Sequence, residues 1–350
     1  MRVACAGLFL LATMLGAGQA RAQDAAAADV SPAGPRLILR GFSDVNLGLH
    51  EEGEPDTFAL GQFDTFMTSA LSDKVSVLAE VVFEFGEDNA AVLDVERMQL
   101  RYAPADEFSV TAGRMHTPLG YWNQTFHHGA WLQTTADRPV MYRFEDDGGI
   151  LPVHMVGVQF AGVFNRSAGA LKYSAAVVNG RGHIPDEIPN VRDGNDDKAV
   201  SLWLGLAPAF ARGLEFGGAA YFDTIPGTDP DPSIDERILG GYLVYQRSGL
   251  EVLSEVSNVR HEREGQAFET WGMYAQAGFK RGRWTPYYRF DRVEVDEGDP
   301  FLSPLDVSVH TLGLRWDAMS WAAVKAEYHR EHPTGGEDVH SGRLQAAFTF

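Results

Sequence analysis

Four histidines, His116, His127, His128 and His154, fall in or beside residues 117–152. Neutral imidazole is a good ligand for zinc or copper, so these side chains invite a metal reading. Their spacing argues against it. His127 and His128 are adjacent, which sends their side chains apart, and no H-E-x-x-H pattern sets two imidazoles on one helical face. They are expected to hydrogen-bond within a loop, and no metal and no cofactor is expected. Hydrolytic chemistry fares no better. Serine, histidine and acidic residues are present, yet no G-x-S-x-G turn exposes a nucleophile, so the chain is not expected to be an enzyme. Residues 193–197, DGNDD, look loosely like a calcium loop but lack the later bidentate glutamate.

The charged residues suggest another task. Arg97, Gln99 and Arg101 share one phase of a candidate strand, and Arg114 closes the next one. Arg138 and Arg143 accompany Glu145, Asp146 and Asp147 inside residues 117–152, and Arg40, Arg289 and Arg343 fall in the polar phase of their own segments. A basic wall facing an acidic loop would set a field across a narrow aqueous passage, orienting dipolar solutes and repelling apolar ones. The plainer alternative is that the same charges merely solvate a polar lumen.

Either task needs a hollow scaffold, and the rest of the chain supplies its pattern. Residues 1–22 carry Arg2, an apolar run and the small-residue site Ala20-Arg21-Ala22, which reads as a cleaved export signal. Cys5, the only cysteine, leaves with it, so no disulfide framework holds the mature protein. Residues 23–35 read as a flexible leader. The formal charge of −19 argues against nucleic acid as a partner. From residue 36 onward, period-two segments alternate with turn clusters. Residues 74–86, KVSVLAEVVFEFG, put Val75, Val77, Val81, Phe83 and Phe85 on one face and Ser76, Glu80 and Glu84 on the other.

Sixteen strands are predicted, at 36–49, 57–70, 74–86, 91–103, 107–115, 153–164, 169–179, 198–207, 213–223, 236–247, 249–260, 267–280, 284–295, 306–317, 320–330 and 341–350. In the fourth, Asp94 and Glu96 fall in the apolar phase, so a bulge or an early exit is required. Connections alternate between short ones and long, acidic, Gly/Pro-rich ones. That asymmetry predicts an all-β transmembrane antiparallel barrel with periplasmic turns and extracellular loops. Phe108, Phe216, Phe279, Trp284, Trp316, Trp321 and Phe350 gather beside the short turns, as an interfacial girdle would. The third long connection, residues 117–152, holds too many large rings to hang in water. It is expected to fold into the lumen.

The closing run SGRLQAAFTF, alternating and ending at Phe350, resembles the terminal signature of bacterial outer-membrane proteins. The whole pattern resembles bacterial outer-membrane porins of the sixteen-stranded type. GRMHTPLG, residues 113–120, with Arg138-Pro139 downstream, is similar in addition to a region of the phosphate-selective porin family. The resemblance implies an integral outer-membrane protein, in contact with lipid and lipopolysaccharide, that passes small hydrophilic solutes by passive diffusion and forms a homotrimer. A channel specific for an anionic or other small solute is the alternative, and a barrel enzyme a more distant one. The acidic loops would either bridge to lipopolysaccharide through divalent cations or simply be solvated.

Overall fold

The computed structural model describes residues 36–50, 55–85, 91–127, 129–185 and 191–350; the export signal and leader expected over residues 1–35, and His128, lie outside the described residues. Sixteen strands run through the described residues: β1 (Leu37–Leu49), β2 (Thr57–Ala70), β3 (Val75–Phe85), β4 (Ala91–Ala105), β5 (Phe108–His116), β6 (His154–Arg166), β7 (Gly169–Val178), β8 (Ala199–Pro208), β9 (Leu214–Ile225), β10 (Ile234–Arg247), β11 (Leu250–Arg263), β12 (Gln266–Phe279), β13 (Trp284–Glu294), β14 (Asp306–Met319), β15 (Ala322–Pro333) and β16 (Val339–Thr349). Each pairs with its chain neighbours, and β1 pairs antiparallel with β16, so the sheet is a closed barrel. The seam is completed by reciprocal backbone bonds, Gly41 N to Phe350 O at 3.0 Å and Phe350 N to Gly41 O at 3.1 Å. Closure removes the unpaired edge that no strand can carry inside lipid.

Alternation decides what each face meets. On β4, Met98, Leu100 and Tyr102 are exposed outward while Arg97 is buried inside; on β8, Leu202, Leu204 and Leu206 are exposed together. An outward band of this kind would be costly in water and belongs in hydrocarbon. No helix among the described residues is long and apolar enough to cross a membrane, so the crossing is done by strands. Rings line the ends joined by short turns: Trp284 stacks on Trp316 at 5.6 Å and Phe63 on Phe350 at 5.5 Å.

The break of phase in β4 is a bulge. Glu80 pairs with Arg97, but the next residue of β3, Val81, pairs with Val95, leaving Glu96 as the extra residue. Both Glu96 and Arg97 are consequently buried on the inner side.

A sixteen-stranded barrel is too wide for wall side chains to fill. Residues 117–152 fill it instead. Trp122, Met141, Tyr142, Ile150 and Leu151 of this connection are buried in one cluster with Val259, Tyr274 and Val293 of the wall. The connection begins with a single helical turn, α1 (Trp122–Thr125), and later makes two short 3-10 turns.

Candidate pore constriction

The loop reaches the far wall through buried polar anchors. Glu255 on β11 accepts four hydrogen bonds: from Tyr121 N and Trp122 N at 2.8 Å each, from Tyr142 Oη at 2.8 Å and from Tyr274 Oη at 2.7 Å. Asp291 on β13 accepts from Val140 N at 3.0 Å and is held by Arg289 Nε at 2.7 Å. Arg289 donates onward to the Asp137 and Arg138 carbonyls at 2.7 and 3.1 Å. Glu327 on β15 accepts from Ala136 N at 2.7 Å, and Lys325 donates to the carbonyls of Ala130 and Thr135. A loop backbone has carbonyls and amides with no ladder to join, and a charged wall group satisfies several at once.

Two glycines make the approach close enough. Gly120 has φ +140°, and a Cβ there would run into the Glu255 carboxylate and the Tyr142 hydroxyl. Opposite it, a Cβ on Gly272 would meet Ile150 and Met141 at 2.7 and 2.9 Å. Rings fix the loop internally: Trp122 stacks on Tyr142 at 5.7 Å, and Arg138 lies 3.4 Å over the Phe144 ring.

Beside the docked loop remains a cavity of about 440 Å³. Arg138, Arg143 and Asp147 line it from the loop, Arg289 and Arg343 from the wall, with Asp137, His329 and Glu331 among the rest. Four arginines thus face three carboxylates. Arg343 pairs with Asp137, whereas Arg143 makes no ion pair among the described residues.

The residues expected to form a constriction therefore separate. Arg138, Arg143 and Asp147 reach the cavity. Arg97 does not line it; it is buried against Glu80 on the neighbouring strand. Arg114 is likewise buried, donating to the Glu96 carbonyl at 3.2 Å and pairing with Asp94 at 3.3 Å. Glu145 turns inward and accepts from Val153 N at 2.9 Å. Gln99 and Arg101 occupy the inner phase of β4, between the outward Met98, Leu100 and Tyr102, away from the cavity lining. The Asp146 side chain lies outside the described residues. Arg40 shares the inner phase of β1 with Asp44. On β4 and β5 the pairing of charges is thus local, arginine with the adjacent strand's carboxylate, whereas Arg343 of the wall meets a loop carboxylate, Asp137.

Sequence reasoning missed the anchors Glu255, Asp291, Lys325 and Glu327. Their signal was legible all the same, since each is a charge in the inner phase at mid-strand. Beside residues 193–197 the Lys198 ammonium meets Asp193 at 2.5 Å and the Asp197 carbonyl at 3.2 Å. His116, His127 and His154, by contrast, come together, although their spacing predicts separate hydrogen-bonding roles.

No family model and no curated protein matches this chain. Solved structures do. The anion-selective porin of Comamonas acidovorans superposes with TM-score 0.62 at 11% identity, over 90% of this chain and 100% of that one. The outer membrane channel DcaP of Acinetobacter baumannii gives 0.61 at 11%, over 91% and 99%. OmpT, an outer membrane protein of Vibrio cholerae, gives 0.58 at 12% in its trimer form, over 91% and 100%. What is shared at such identity is the fold, a sixteen-stranded outer-membrane barrel, and with the outward apolar band it makes this chain an integral outer-membrane protein.

Proposed function

We propose that the protein is a diffusion channel rather than an enzyme, passing small hydrophilic solutes and ions across the outer membrane with a preference for anions. The observation that carries this reading is the lining of the 440 Å³ cavity, where Arg138, Arg143, Arg289 and Arg343 outnumber Asp137, Asp147 and Glu331. Fixed charges in a narrow passage with low-dielectric walls raise the local concentration of the opposite ion. The chain as a whole is acidic, at −19, and the outer loops hold much of that excess. The sign at the neck is therefore set locally, against the sign of the mouth. A homotrimer is part of this reading, supported by the trimer form of the similar Vibrio protein.

The test is the reversal potential of the folded protein in planar bilayers under a salt gradient. Anion preference is expected for the wild type, shifting toward cations in Arg143→Glu. A wild type already selective for cations would sink the anion reading while leaving the channel intact. A silent bilayer would sink the channel itself. A second reading, a channel specific for one anionic solute, draws on the same four arginines. It predicts that the solute blocks ion current saturably, at concentrations where chloride does not.

A further inference from the structure

His116 ends β5, His154 begins β6, and the two are direct partners at the last rung of that ladder. His127, two residues past α1, is laid over them by the loop. Its ring centroid lies 3.8 Å from that of His116 and 4.6 Å from that of His154. All three side chains are buried, and each offers a ring nitrogen within 4.8 Å of the others. The bulge in β4 turns Glu96 into the same place, where its carboxylate contacts His154 Nε2 and stands 3.8 Å from His127 Nε2.

The tautomer of His127 follows from its neighbour. Both N–H groups of the Asn123 amide are used, donating to Thr117 O at 3.0 Å and Val153 O at 2.8 Å. The Asn123 Oδ1 that faces His127 Nδ1 at 2.6 Å is therefore the acceptor, and Nδ1 carries the proton. In the neutral ring Nε2 then presents its lone pair toward a carboxylate oxygen. Two electron-rich atoms face one another comfortably only with a proton or a metal cation shared between them. An outer hydrogen bond that fixes the imidazole in this way is the usual support of a ligating histidine.

We propose that His116, His127 and His154, with the Glu96 carboxylate, form a site for a divalent cation of the zinc type, which pins the loop to the wall. Three imidazoles and one carboxylate match the donor set and number of a tetrahedral zinc centre. Nitrogens sharing one such ion stand roughly 3.3 Å apart with each ring plane directed at it, so the stacked His116 and His127 rings would splay apart to admit the ion. Glu80, whose carboxylate lies 3.8 Å from His116 Nε2, offers further negative charge beside the cation. The site is independent of whether the channel conducts.

The test uses the full mature chain folded in detergent, stripped with chelator and titrated with zinc in a calorimeter. One equivalent bound per chain is expected. Binding should be lost in His127→Ala and His154→Ala and weakened about 10–100-fold in Asn123→Ala, which removes the orienting bond together with the two amide donations to Thr117 O and Val153 O. Cobalt in place of zinc should give the visible absorption of a four-coordinate ion in the wild type, a readout that needs no variant to fold. A folded wild type without stoichiometric zinc and without that spectrum overturns the proposal. So does zinc binding that is undiminished in folded His127→Ala and His154→Ala.

Discussion

At the scale of single residues, one carboxylate does the work of a hinge pin. Glu255 satisfies two backbone amides and two phenols, so truncation to alanine strands four buried donors at about 1–3 kcal/mol each. None of the sixteen ladders depends on that side chain. Glu255→Ala is therefore expected to leave a folded barrel, seen as an intact heat-dependent gel shift, with an undocked loop, seen as larger and noisier single-channel conductance. Unchanged conductance would remove Glu255 from the role. Glu255→Gln should fall between the two, since an amide oxygen still accepts while its NH2 group opposes the other donors.

At the scale of elements, the connection between β13 and β14 shows how an acidic outer loop is fastened. Asp299 accepts from Phe301 N and Leu302 N at 2.9 and 2.8 Å and meets His261 Nδ1 at 2.8 Å. Burial pushes this carboxyl up, but the His261 bond and the two amides outweigh it and hold it below its ordinary value. A depressed carboxylate stabilises the folded loop fully above the unfolded value of ~3.9, and that contribution is lost as pH falls through the folded value. Protection of the Phe301 and Leu302 amides, taken relative to their intrinsic exchange at each pH, should accordingly hold from neutral pH down to about 4 and fall below it, whereas Asp299→Asn should lower it throughout. Equal exchange in both proteins would dismiss the fastening. Strands like these were readable in the sequence because alternation and turn residues are local signals. The anchoring of residues 117–152 was not, because Ala136 meets Glu327 and Ala130 meets Lys325 across most of the chain. The same limit explains Arg97: its phase was evident, but its partner Glu80 depended on a bulge that only the paired register of β3 and β4 reveals.

At the scale of the whole molecule, stability rests on what bathes the outside. Leu312, at mid-strand in β14, points outward between Tyr288 and Tyr328 and is 62% exposed. Leu312→Arg at the bilayer midplane should cost about 2–4 kcal/mol, measured by urea unfolding from lipid vesicles. An unmoved midpoint would mean that face does not meet lipid. Every principal seat of the inner loop, Glu255, Asp291, Lys325 and Glu327, belongs to the second half of the polypeptide, while the segment they receive belongs to the first. However the wall zips, that segment has no seat for Trp122 and Tyr142 until β11 is in place and lacks its full berth until β15 is. The narrowness of the passage is thus a late product of assembly, and an unfinished molecule is a leaky one.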